Sequence, residues 1–208
     1  MQLTTEAAAL LVIDMQEGFL SPGGSVARIG FPVHLLAPAV PGCTRLLAAA
    51  RAAGVPVAHT RYVYQPGHAD GGVMVEHLLP ALRAERALLA GDGDADIIPQ
   101  LVPRPGEAVF DKNRPSAFFA RGFAEWLIAT GIRRVVVAGV TTNCCVETTV
   151  RDLSQRDFEV FVVEDAVAEY DPARHVHALE AMGLLFARRV TVAQVEAAFA
   201  RDAGRAAA

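Results

Sequence analysis

A run of β-branched residues that breaks into a turn of small residues and resumes as a helix constrains this chain more than any other stretch. Arg134 to Leu153 reads RVVVAGVTTNCCVETTVRDL. Val135 to Val137, with a charge before and Ala138-Gly139 after, has the pattern of a short strand buried on both faces, as in a parallel sheet. Val146, Val150 and Leu153 then recur at helical spacing. Between them, Gly139-Val140-Thr141-Thr142-Asn143-Cys144-Cys145 is a sharp strand-to-helix turn carrying two adjacent thiols. A cysteine at the start of a helix gains thiolate character from the unpaired N–H groups and the dipole there. The same N–H groups can stabilise an oxyanion. Small residues and buried thiols packed in a tight turn would read alike, so the rest of the chain has to decide.

Other segments repeat the strand–helix alternation. Apolar strands are expected at Ala7–Ile13, Val55–His59, Ala108–Phe110, Glu159–Val163 and Arg189–Val192. Helices are expected at Ala39–Ala53, ended by Gly54, at Phe123–Thr130, ended by Gly131, and at about Pro172–Phe186. From Val195 an alanine-rich helix should fray. Arg61 to Asp96 is too long for an ordinary connection, which suits a binding loop or lid, with GDGDAD at its end as a surface loop. Alternation of this kind predicts an α/β fold in three α/β/α layers around a mostly parallel sheet. At 208 residues without an evident linker, residues 1–208 read as one domain.

Composition narrows the partners. With 52% hydrophobic and 20% charged residues the chain can fill a large core, and its formal charge of −4 argues against nucleic acid. No apolar stretch is expected to reach the length of a membrane span, and Asp14 interrupts the N-terminal run too early for a signal peptide, so a cytoplasmic protein is expected. Three cysteines, two of them adjacent, do not make a disulfide scaffold.

In a parallel sheet the carboxyl ends of the strands face one crevice, where ligands bind. Three predicted strands end in residues capable of chemistry: Asp14 after LLVI, Lys112 after AVFD, and Cys144-Cys145 after the turn. A thiol needs a base and a nearby cation to become an effective nucleophile. Asp14 can accept its proton, and Lys112 can hold Asp14 and favour the thiolate. Attack on an amide carbonyl would then give a thioester and release an amine or ammonia.

LLVIDMQEGF, DKNRPSAFF and GVTTNCCVETTVRD, in that order, resemble the isochorismatase-like cysteine hydrolase superfamily, over about residues 7–192. The resemblance implies a six-stranded sheet of order 3-2-1-4-5-6 and a triad of Asp14, Lys112 and Cys145. Its spacing puts the nucleophile on Cys145 and leaves Cys144 a structural place. It also implies a cis peptide between Val140 and Thr141, with the N–H groups of Thr141 and Cys145 as the oxyanion hole.

Within that superfamily, nicotinamidases carry an Asp-x-His metal motif after the second strand. Here the place reads His59-Thr60-Arg61-Tyr62, and His68, Asp70 and His77 have other spacing, so neither metal nor cofactor is expected. His175 and His177 read as surface residues. The wording of KNRPSAFF and TNCCVETT is similar to the ureidoacrylate- and biuret-type amidohydrolases. For a small amide or ureide, Phe19, Phe118 and Phe119 would wall the pocket and Arg61 would hold a carboxylate. Ser116, Thr142 and Asn143 would offer hydrogen bonds, and Glu164-Asp165 would cap or wall the site. The alternatives are a vinyl-ether hydrolase that uses Asp14 with Cys145 a bystander, or a non-catalytic member. The family also implies a homo-oligomer, a dimer or tetramer.

Overall fold

Ala8–Ile13 (β1) is apolar and buried at every position because neighbouring strands flank it and helices cover both its faces. A computed structural model describes residues 2–206. Around β1 stand Val57–Tyr62 (β2), Ala108–Lys112 (β3), Arg134–Val140 (β4), Glu159–Ala168 (β5) and Arg188–Val190 (β6). All neighbouring pairs are parallel, in the order β3-β2-β1-β4-β5-β6.

Alternate residues of each central strand feed the two cores, as period-two geometry requires. Ala9, Leu11, Ile13, Val135, Val137 and Val162 face Phe123–Ala129 (α2), Glu147–Ser154 (α3) and Pro172–Leu185 (α4). Leu10, Val12, Val136, Ala138 and Phe161 face Ala39–Ala52 (α1) and Val192–Ala206 (α5). The helices on both faces complete a three-layer α/β/α architecture. Gly139 is required where β4 meets β1: its φ is +115°, and a Cβ there would lie 2.1 Å from the Ile13 carbonyl oxygen. The register between β4 and β5 shifts at this same place.

Several segments depart from expectation. β2 runs to Tyr62 and β3 to Lys112, because the two strands continue to pair from Ala58 with Ala108 to Tyr62 with Lys112. β5 continues past Glu164-Asp165 to Ala168, since after the register shift Val167 and Ala168 still pair with Gly139 and Val140. Those two charges therefore sit inside a strand, where Asp165 accepts from the Val192 N–H and starts α5. The GDGDAD loop lies at the surface as expected, with Gly91, Gly93 and Asp96 exposed, but it is tied down through Asp94. Asp94 accepts from the Ser25 N–H at 2.9 Å and the Leu88 N–H at 2.8 Å. The run Val33–Ala52 is, against expectation, long and apolar enough to cross a membrane by length and composition. Here Leu36, Cys43, Leu46, Leu47 and Ala50 pack against the sheet. In place of a frayed tail, α5 is docked through Val195 and Phe199, and Asp202 accepts from the Thr5 N–H; residues 207 and 208 lie outside the described residues.

Candidate active site

Three strand ends on one edge of the sheet bring Asp14, Lys112 and Cys145 together. Asp14 follows β1 directly with φ +53°, a left-handed conformation that aspartate tolerates better than most residues. Its Oδ1 accepts from the Thr60 hydroxyl at 2.6 Å, and its Oδ2 accepts from Lys112 Nζ at 2.6 Å. Lys112 reaches over β2 to do this, its ammonium resting 4.3 Å from the centroid of the Tyr62 ring. The same nitrogen stands 3.4 Å from Cys145 Sγ. Both side chains of the ion pair are 0% exposed, so neither charge is screened by water.

The turn after β4 sets the thiol. The Val140–Thr141 peptide is cis. The Thr142–Val146 segment then makes a wide turn closed by the Val146 N–H on the Thr141 carbonyl, before α3 continues. A hydrogen bond with Cys144 and burial push the Cys145 thiol well above a free thiol's range, against the pull of Lys112. Burial alone would lower the Lys112 ammonium, but Asp14 and Cys145 offset it and hold it above the usual lysine value. At rest the surroundings thus favour the charged form of Lys112 and the protonated form of the Cys145 thiol. Glu169, just beyond β5, closes the turn from the other side: its Oε2 accepts from the Asn143 N–H at 3.1 Å, a carboxylate at the start of a helical segment.

A cavity of about 470 Å³ opens on Cys145. Thr141, Asn143, Cys144 and Phe19 also line it. The other residues expected to bind substrate lie elsewhere. Arg61 points to the face opposite Thr60 and Tyr62, because β2 continues through it and side chains alternate. There it pairs bidentately with Asp111, its register partner on β3, at 2.7 and 2.8 Å. Ser116 donates to Asp152 at 2.5 Å and accepts from the Phe118 N–H, so it caps a short turn. Phe118 packs edge-on against Phe123 beneath the Arg156 guanidinium. Thr142 is fully buried with its hydroxyl 2.9 Å from His175 Nδ1, which also makes His175 more than a surface residue. Burial disfavours that histidine's charged form. Of the residues weighed for a metal, His68 is bonded to the Ala87 carbonyl and Asp70 to Asn113.

Other residues around the triad carry no expectation from sequence. Gln16 is fully buried and clamps β1 to β2, its Oε1 accepting from the Tyr62 N–H at 2.6 Å and its Nε2 donating to the Tyr62 and Ala95 carbonyls. Thr60 and Tyr62 support Asp14 and Lys112. Their signal was the alternation of β2, two residues apart on one face, which becomes visible only once the strand is known to reach Tyr62. Glu169 and Tyr170 were hidden by the length of β5.

Comparison with known proteins agrees with this geometry. The Isochorismatase domain family model matches residues 8–194. Ureidoacrylate amidohydrolase RutB of Methylorubrum extorquens is 32% identical over 96% of this chain and 86% of its own length. A cysteine hydrolase from Pseudomonas syringae pv. phaseolicola superimposes with a TM-score of 0.86 at 27% identity, covering 96% of this chain and 95% of that one. N-carbamoylsarcosine amidase from Thermoplasma acidophilum gives 0.71 at 25% identity, over 89% and 96%. With a family model spanning the whole sheet, and fold and sequence relatives that agree with it, this chain belongs to the isochorismatase family.

Proposed function

We propose that the protein is a metal-independent cysteine amidohydrolase that cleaves the C–N bond of a small amide or ureide and releases ammonia. The observation that carries this reading is the position of Lys112 Nζ, 2.6 Å from Asp14 Oδ2 and 3.4 Å from Cys145 Sγ, out of solvent. The names of its relatives, a ureidoacrylate amidohydrolase and an N-carbamoylsarcosine amidase, point the same way.

In this mechanism the substrate carbonyl lies over Cys145, with its oxygen toward the N–H groups of Thr141 and Cys145. Because the thiol is held neutral at rest, attack requires a base, and Asp14 takes the proton as sulfur bonds to carbon. Lys112 stays charged throughout, balancing first the carboxylate and then the developing thiolate. Asp14 returns the proton to the departing nitrogen, ammonia leaves, and a thioester remains on Cys145. Water, deprotonated by Asp14, then hydrolyses the thioester and restores the thiol.

The test is ammonia release from ureidoacrylate, biuret, N-carbamoylsarcosine, nicotinamide and simple amides, by wild type and Cys145→Ala, with and without a chelator. Release that disappears in Cys145→Ala and ignores the chelator is the expected result. A Cys145→Ser protein that keeps full turnover, or release abolished by the chelator, rejects the reading.

A further inference from the structure

The cavity on Cys145 is much larger than a ureide and is walled by hydrocarbon. Away from the thiol its surface is made by Val26, Ile29, Met74, Leu79, Leu82 and Leu88. Three of these, Val26, Leu82 and Leu88, are buried by the surrounding structure, so the wall is part of the fold. At about 470 Å³ the space falls in the range that encloses a molecule of drug-like size. Water in such a space has few partners, and an apolar group displaces it favourably.

Charge points to the same conclusion. Among the described residues lining the cavity only Glu169 and Arg174 are charged, and they face each other at 3.7 Å. The Glu169 carboxylate is further occupied by the Asn143 and Tyr170 N–H groups. A substrate carboxylate would lose its hydration beside the buried Glu169 charge and would have to compete with that carboxylate for Arg174, the one cation of the lining. Arg61, the cation best placed in sequence to serve, is bound to Asp111 on the other face.

The position of Asp14 decides which end of the amide is bulky. On the mechanism above, Asp14 must hand its proton to the leaving nitrogen. It is fully buried, shut in by Thr60 and Lys112, and forms no part of the cavity wall. A leaving nitrogen has to reach into that enclosure to be protonated, which favours ammonia over a bulky amine and puts the bulk of the substrate on the acyl side. Resting on the amidohydrolase reading, we infer that the substrate is an uncharged primary carboxamide whose acyl group is an apolar chain or ring that fills this cavity. The reaction balances as carboxamide plus Cys145 thiol giving acyl-thioester plus ammonia, then thioester plus water giving the carboxylic acid and the thiol.

The test uses straight-chain primary amides from acetamide to octanamide, with ureidoacrylate and biuret beside them, in two assays. Ammonia release by wild type should give kcat/KM values that climb about fourfold per added methylene, a hundredfold or more from acetamide to hexanamide. The affinity of Cys145→Ala for the same amides, read by calorimetry, should climb in parallel without any chemistry. Leu79→Asn, at a half-buried wall position, should cut the hexanamide-to-acetamide ratio at least tenfold. Ureidoacrylate or acetamide turned over as well as hexanamide, in a Cys145-dependent way, overturns the apolar acyl group while leaving the amidohydrolase standing. Affinity that is flat with chain length overturns it as well. Length-dependent binding with no ammonia from any amide rejects the amidohydrolase reading, and the carboxamide assignment with it.

Discussion

Asp14 and Lys112 form a charge pair that water does not reach, and this makes each dangerous without the other. Lys112→Met leaves the Asp14 carboxylate buried with only Thr60 as a side-chain partner, and unfolding in urea should show a loss of about 3–5 kcal/mol. Asp14→Asn combined with Lys112→Met removes both charges and should recover part of that stability, although neither variant retains turnover. A double variant no more stable than the single one would mean that the pair is not the source of the loss. Asp14→Asn alone should lower kcat by a factor of about 10²–10⁴, the usual span for a lost general base. At this scale the sequence was most informative where a residue closes a strand. Asp14, Lys112 and Cys145 were legible because parallel strands end on one edge. Arg61 was misread because β2 does not stop at His59: two more residues of alternation carry its side chain to the Asp111 face. Ser116 and Thr142 were misread because a hydroxyl's partner, here Asp152 or His175, is set by packing that no spacing reveals.

Among the elements, the junction of β1 and β4 is the one that tolerates least change. Gly139→Ala would drive a methyl group into the Ile13 backbone beside Asp14, at a φ that L-residues rarely adopt. The expected cost is at least about 3 kcal/mol, with activity lost even in whatever protein folds. Gly131→Ala, after α2, also has positive φ but meets nothing within 4 Å. It should cost only about 1–2 kcal/mol and leave kcat unchanged. Equal effects in thermal unfolding would show that φ, and not the close approach, governs Gly139. The ends of α1 and α2 were readable from Gly54 and Gly131, both in the left-handed conformation that ends a helix. β5 was not readable beyond Val163, because Glu164 and Asp165 look like a strand end. A parallel ladder is indifferent to such charges where the strand surfaces, and pairing resumes at Val167.

For the whole molecule, ionisable groups both in the catalytic centre and far from it set the pH limits of the fold. Burial pushes the Cys43 thiol on α1 up to about 12. Its folded pKa is raised, so its contribution is complete below the unfolded value near 9 and is lost as pH rises toward 12. Lys112 and Cys145, also raised, act in the same direction. At the acid limit, burial would raise Glu107, but the Arg51 guanidinium and the Arg104 and His59 bonds outweigh it and hold the carboxyl at about 2. Its stabilisation is present above its ordinary 4.5 and is lost as pH falls toward 2. Urea midpoints measured across pH should therefore fall off on both sides. Glu107→Gln should be less stable at pH 7 and show a shallower decline between pH 4.5 and 2, whereas Cys43→Ala should flatten the alkaline limb only. An unchanged acid limb in Glu107→Gln would remove that carboxyl from the account.

The place of β1 at the centre of the sheet bears on how the chain leaves the ribosome. It is the first of the six strands to be made, yet its two neighbours are β2 and β4, and the second of these is complete only at Val140. Until then AALLVI has one edge unpaired and lacks the helices α3, α4 and α5 that cover its faces. An uncharged, β-prone hexapeptide in that condition is a site for mispairing between nascent chains. Synthesis from β1 through Val140 thus takes place with the most apolar strand waiting, and yield in the cell should respond more to chaperone supply during translation than to the stability of the finished fold.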